Sequence, residues 1–215
     1  AGGGRVWTPR NGFALSGAAS NGSSATELVQ PAIFAFQVAL AELLAAWGIE
    51  PDAVVGHSLG EVAGAAVSGA LSLSDAARVV VQRSRILARL DGHGAMAVLE
   101  ATADEAARLV EPLHATVAVA AINGPRSVVI SGAPRYIDAL VRRAKRRQIF
   151  AQRIAVDFAA HSPQIGALLP EFVDTLGGLT AQVPRVPVYS TARRREKITT
   201  AATDAVLRMS DSGFR

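Results

Sequence analysis

An α/β fold built on a parallel sheet, with a smaller subdomain inserted into it, is predicted from three features of this 215-residue sequence. The first is an apolar run, Ala53-Val54-Val55, that enters Gly56-His57-Ser58-Leu59-Gly60 and leaves through a small-residue helix pattern reaching Ala70. That is a strand, a sharp turn and a helix in succession. The second is a series of segments in residues 95–155 ordered β-α-β-β-α-β, the split-βαβ pattern of ferredoxin-like folds. The third is composition: 50% of the residues are hydrophobic, enough for a substantial core at this length.

In chain order, residues 1–24 are rich in Gly, Ser, Ala and Asn, lack periodicity, and read as a loop or lead-in. A helix begins at Thr26, carries Pro31 at an early position, runs through apolar residues to Trp47 and is closed by Gly48. Its most apolar part, residues 33–47, includes Gln37 and Glu42 and reads as a buried core helix rather than a membrane span. No signal peptide is visible either. Ile49-Glu50-Pro51-Asp52 turns into the first strand, and after the elbow helix Ser74 is expected to cap a helix running through Arg83 to about Leu90. Residues 95–100 read as a strand, and Thr102-Ala103-Asp104-Glu105 as a capping box opening a helix that ends near Leu113. Residues 117–122 and 127–131 form a hairpin around Asn123-Gly124-Pro125-Arg126. Pro134 then opens a helix to about Gln148, and residues 149–156 are a final strand. The expected division is a discontinuous large subdomain, 1–94 with 156–215, around a small one, 95–155.

Composition also removes classes of function. With no cysteine there is no disulfide, thiolate metal site or cysteine nucleophile, which fits a cytoplasmic protein. His57, His93, His114 and His161 are far apart, with no zinc-ligand spacing, so no metal site is expected. The net charge of +4 is mild. Arg142, Arg143, Lys145, Arg146 and Arg147 crowd one predicted helix, which reads as a solvated face or as a docking surface for an acidic partner. Nucleic acid fits less well, because the cluster lacks interleaved aromatics.

The Gly-x-Ser-x-Gly turn carries the chemistry. A side chain at Gly56 or Gly60 is expected to crowd the turn, which lifts the Ser58 hydroxyl to the strand end. The free N–H groups of the following helix then face any oxyanion formed there. Such an elbow belongs to hydrolase-like α/β cores. A serine needs a base within hydrogen-bonding reach. His57 adjoins Ser58, but neighbours across a tight turn point apart, and His93 and His114 read as surface residues. His161 lies in a strand-end loop, Asp157-Phe158-Ala159-Ala160-His161-Ser162-Pro163, where catalytic groups gather in α/β folds, although a histidine there also serves structure alone.

Several stretches together resemble the malonyl-CoA-type acyltransferase domains of fatty-acid and modular polyketide synthases, with a mycobacterial flavour. They are Gln30-Pro31-Ala32-Ile33-Phe34, Gly56-His57-Ser58-Leu59-Gly60-Glu61, Gln82-Arg83-Ser84, Gly94-Ala95-Met96, Asn123-Gly124-Pro125, Ser131-Gly132 and His161-Ser162-Pro163. The resemblance covers roughly residues 25–190. It implies that Ser58 and His161 act as a dyad, that the Leu59 N–H holds the oxyanion, and that Arg83 binds the free carboxylate of a malonyl-type unit. It implies no permanently bound cofactor. The substrate would be an acyl-CoA, the acceptor the phosphopantetheine thiol of an acyl carrier protein, and the setting a multidomain synthase. His57 and Asn123 would stand near the pocket.

In that family the four residues ending in the catalytic histidine track the extender unit. Here they are Phe158-Ala159-Ala160-His161, and the small Ala160 favours methylmalonyl, whereas Leu59 is more typical of malonyl members. Residues 1–24 have no counterpart of the family's Gly-Gln-Gly strand, whose glutamine supplies a second oxyanion donor, and residues 191–215 fit the family poorly. Either the chain is incomplete or trimmed, with joins near 22–25 and 197–203, or it lacks an oxyanion donor and catalyses weakly; the intact core motifs favour the first. Two other readings remain: a serine esterase or thioesterase, which would need a carboxylate behind the histidine and has no use for Arg83, and a non-catalytic scaffold.

Overall fold

The computed structural model describes residues 25–191 and 197–198. The expected loop at 1–24 lies outside them, as do all but residues 191, 197 and 198 of the poorly fitting 191–215 and all but residues 25, 197 and 198 of the joins expected near 22–25 and 197–203. The first helix, α1 (Ala25–Ala46), ends at Gly48, whose φ of 77° is a conformation glycine adopts without cost. β1 (Val54–Gly56) follows, then α2 (Leu59–Val67) and α3 (Leu73–Ala88). β1 pairs in parallel with β6 (Val188–Ser190), which pairs antiparallel with β7 (Lys197–Ile198). Between them run β2 (Ala95–Leu99), α4 (Ala103–Val110) with a 3-10 turn at Glu111–Leu113, β3 (Val117–Gly124), β4 (Ser127–Gly132), α5 (Pro134–Arg146) and β5 (Ala151–Arg153). Two short helices, α6 (Pro163–Gly166) and α7 (Leu169–Thr175), lead back to β6.

The four inner strands form one antiparallel sheet in the order β3-β4-β2-β5. Two sequential strands flank each other only through a third, the ferredoxin-like arrangement read from the sequence. Its core gathers Leu99, Leu109, Val128, Ile130, Ile137 and Leu140 from both helices and the sheet. A separate core, around Leu59, Val62, Leu71, Val79, Val80 and Phe172, joins α2, α3 and α7. The fold is thus α/β, with parallel and antiparallel sheets each backed by helices.

Several sequence expectations shift in detail. The cap of α3 is Ser72, not Ser74: the Ser72 hydroxyl accepts from Asp75 N at 3.0 Å, satisfying one of the unpaired N–H groups of the first turn. The capping box at Thr102 and Glu105 forms as expected. The last strand of the insert is shorter than residues 149–156, although Ile154 N still donates to Met96 O at 2.9 Å and carries the ladder onward. In α5, Ile137, Leu140 and Ala144 face the core, leaving Arg142, Lys145, Arg146 and Arg147 exposed and Arg143 half-buried.

The expectation of a buried core helix holds for one face of α1 only. Thr26, Gln30 and Phe34, spaced four apart, pack inward on α2 and α3, while Ile33, Phe36, Leu40, Leu43 and Trp47 are exposed among the described residues. By length and composition α1 could also cross a membrane. Its buried stripe and its contacts with α2 and α3 are those of a helix packed on a protein core.

Candidate active site

Ser58 sits between β1 and α2 with φ 53° and ψ −117°, a region that residues with a side chain rarely occupy. The turn closes because Gly60 N donates to His57 O at 2.9 Å and Glu61 N to Ser58 O at 3.0 Å. Gly56 is required sterically: a Cβ there would stand 2.3 Å from Gly60 O. Gly60 is not, since an added Cβ meets nothing nearer than Gln37 Nε2 at 4.0 Å, so the crowding expected at both glycines occurs at one. Leu59 opens α2, where an N–H has no intrahelical acceptor and points at whatever lies before the helix.

His161 arrives from the loop after β5. Gly94 N donates to Asp157 O at 3.1 Å, and Gly94 lies so close to the loop that a Cβ there would be 2.0 Å from Ala159 N. Ser162 then caps α6, accepting from Gln164 N at 3.3 Å. Held at both ends, His161 takes φ 58° and brings Nε2 to 2.9 Å from Ser58 Oγ, across 103 residues of chain. Burial pushes the imidazolium pKa down to about 4, helped by the positive charges of Arg83 and His57. A neutral ring can accept a proton through Nε2.

Arg83 projects from α3, where Arg78 donates to Thr175 O at 2.6 Å and Arg89 pairs with Glu171 at 2.5 Å, tying the helix to α7. Its Nη2 donates to Ser58 Oγ at 3.0 Å and its Nη1 to Gln30 Oε1. Burial lowers its pKa to about 10, which leaves it charged at neutral pH. An apolar cavity of about 30 Å³ lies beside Arg83 and His161, walled by Ile86, Leu87, Ile165, Leu168 and Phe172.

Ser58, His161 and Arg83 therefore converge. The other anticipated residues do not all join them. Ala160 is buried and Phe158 half-buried in the same loop, but neither they nor Leu59 line that cavity. His57 is exposed and borders an outer groove with Gln37, Val54, Val55 and Gly60. Asn123 is exposed at the β3–β4 hairpin. His93 and His114 are exposed, as read from the sequence.

A family model described as "Acyl transferase domain" matches residues 5–210. The chain belongs to the acyl transferase domain family. Polyketide synthase GfsE of Streptomyces halstedii is 46% identical over 167 residues, covering 77% of this chain and 4% of that protein. The acyltransferase domain of the polyketide synthase PpsC of Mycobacterium tuberculosis superposes with a TM-score of 0.81 at 34% identity, over 94% of this chain and 63% of that one. The malonyl CoA-acyl carrier protein transacylase of Coxiella burnetii gives 0.79 at 26% identity, over 86% and 61%. The chain thus spans a small fraction of its curated synthase relative and under two thirds of these two solved chains.

Two residues of this acyl transferase domain escaped the sequence reading as parts of the site. Buried Glu61, three residues after Ser58, accepts from Thr191 N at 2.8 Å and Ser190 Oγ at 3.2 Å, pinning the end of β6 under the elbow. The Thr191 hydroxyl reaches Gly56 O at 2.9 Å, closing the bracket. Gln30 touches Arg83. The only signal for either was its place inside a recognised motif, because a glutamine or glutamate on a helix announces no chemistry by itself.

Proposed function

We propose that this chain transfers an extender acyl unit from CoA to the phosphopantetheine thiol of an acyl carrier protein through an acyl-serine. The observation that carries the reading is Ser58 Oγ flanked at 2.9 Å by a neutral imidazole and at 3.0 Å by a buried guanidinium. Ser58 Oγ attacks the thioester carbonyl while His161 Nε2 takes its proton. The carbonyl electron pair becomes an oxyanion facing the Leu59 N–H at the start of α2. Its collapse breaks the C–S bond, and the imidazolium returns the proton to the CoA sulfur. The carrier thiol then repeats the sequence in reverse, its proton passing through His161 to Ser58 Oγ.

Arg83 has a task in this cycle and none in plain ester hydrolysis. A planar, always-charged fork suits the free carboxylate of a malonyl-type unit and discriminates against uncharged acyl chains. Methylmalonyl is the favoured unit: Ala160 sets a methyl where a ring would fill the space beside His161. An apolar cavity also lies beside His161 and Arg83. We assign residues 1–94 and 156–215 to the large subdomain and 95–155 to the small one, in keeping with their separate cores. The setting is a multidomain synthase in the cytoplasm, with no resident cofactor.

The test is intact-mass analysis after mixing with methylmalonyl-CoA and malonyl-CoA in competition, followed by a chase with carrier protein. An ester on Ser58 that moves to the carrier supports transfer. An ester that only water removes supports the serine hydrolase instead, and no ester from either CoA overturns both.

A further inference from the structure

The partners of Arg83 are unusual for a buried cation. Among the described residues no carboxylate lies within ion-pairing distance of it, and its hydrogen bonds go to Gln30 Oε1 and Ser58 Oγ, both neutral. Burial is what lowers its pKa, with no negative neighbour raising it. A buried charge without a counter-ion is costly unless a ligand supplies one. Gln30 is itself buried, on the inward stripe of α1, and that end of the helix is fastened by Thr26 Oγ1 donating to Asp91 Oδ1 at 2.7 Å. The orientation of its amide is settled by chemistry: a guanidinium has only donors, so the oxygen must face Nη1.

We infer that Gln30 is a positioning residue for substrate selection: its amide oxygen fixes one edge of the Arg83 fork, and its neutrality leaves the positive charge unspent for an acyl carboxylate. This rests on Arg83 being the carboxylate anchor. A glutamate at position 30 has nearly the same shape but would bring its own negative charge to Nη1. The arginine would then be neutralised before substrate arrives, and carboxylated acyl-CoA would lose its advantage over an uncharged one.

The experiment uses the full chain and compares methylmalonyl-CoA with propionyl-CoA, which differ by that carboxylate. Acylation rates of Ser58 are measured, and dissociation constants on a Ser58→Ala background give a readout that needs no turnover. In Gln30→Glu the methylmalonyl-to-propionyl ratio should fall roughly 10- to 100-fold, the scale of one charge-assisted hydrogen bond. Gln30→Met, which keeps volume and removes the acceptor, should lower the ratio less and through KM more than kcat. A purely structural role would depress both substrates together and leave the ratio unchanged. That result in both variants overturns the inference while Arg83→Ala still collapses the ratio. If Arg83→Ala leaves the ratio intact, the anchor reading falls first and the role of Gln30 with it.

Discussion

Ser58 and His161 meet at 2.9 Å from two backbones that both stand at positive φ, 53° and 58°. Gln148 is the third non-glycine residue in that region among the described residues, and it ends a helix far from any chemistry. The two side chains are thus presented by local conformations that cost about 1–3 kcal/mol each and that the surrounding bonds must enforce. Ser58→Gly and Ser58→Ala both remove the hydroxyl, but only glycine relieves the strain. We expect Ser58→Gly to be more stable than Ser58→Ala by about 1 kcal/mol, a Tm difference of about 2–4 °C by calorimetry, with neither forming an acyl-enzyme. Equal stabilities would mean that the elbow is not strained.

The depressed pKa of His161 fixes the sign of two pH effects. An unfolded histidine titrates near 6.5, whereas here the value is about 4, because of burial and then the charges of Arg83 and His57. Between those values the unfolded chain binds the extra proton, so stability rises with pH across this window and is lost as pH falls from 6.5 through 4. The His161 ring stays neutral over the same range. Rates of Ser58 acylation should be flat from pH 8 to about 5 and fall to half near 4, while urea unfolding should show a weaker protein at pH 5 than at pH 7. Arg83→Ala removes one of the causes and should move the acid limb upward. An acid limb at 6.5 in the unmodified chain would contradict the buried geometry.

Gly94 lies 67 residues before His161 in sequence but abuts its loop. A methyl at Gly94 would stand 2.0 Å from Ala159 N and 2.4 Å from Phe158 C, both backbone atoms that cannot swing aside. Gly94→Ala must therefore displace the segment that carries His161. Misplacement of about 1 Å costs roughly 10²-fold in rate. Acylation should drop by that order, whereas Gly166→Ala, where an added Cβ meets nothing within 4 Å, should leave it nearly unchanged.

Which parts could be read in the sequence follows from how local their signals are. The elbow is a contiguous string, so Ser58, its strand and its helix were legible, as was the order of strands and helices in the insert. His161 was separated from three other histidines by its strand-end loop and by family resemblance, but its 2.9 Å approach depends on Gly94, which no local rule ties to it. Ser72 and Ser74 offer the same cap chemistry two residues apart, and only the reach to Asp75 N decides between them. The period of α1 predicts which residues share a face but not how much of the helix its neighbours cover, so Phe36 and Trp47, expected in the core, lie exposed. Gln30 and Glu61 act through partners 53 and 129 or more residues away, beyond the reach of any motif spacing.

Extender choice gives the last prediction, and its outcome depends on one methyl group. Ala160 is buried directly before His161, and His161 itself walls the apolar cavity beside Arg83. A pocket that accepts one extra methyl gains about 1–3 kcal/mol from it, about 10- to 200-fold in rate. The unmodified chain should therefore acylate faster from methylmalonyl-CoA than from malonyl-CoA when the two compete. Ala160→Phe puts a ring in the residue directly before His161 and should reverse that order, by reducing the methylmalonyl rate rather than by raising the malonyl rate. Leu59 pulls the other way as a family signal, yet its side chain is buried in the core with Val62 and Val79, so Leu59→Val should change stability more than selectivity. Competition assays read by the mass of the acyl-serine separate these outcomes. If malonyl dominates in the unmodified chain and Ala160→Phe changes nothing, the residue before the histidine does not govern pocket volume here.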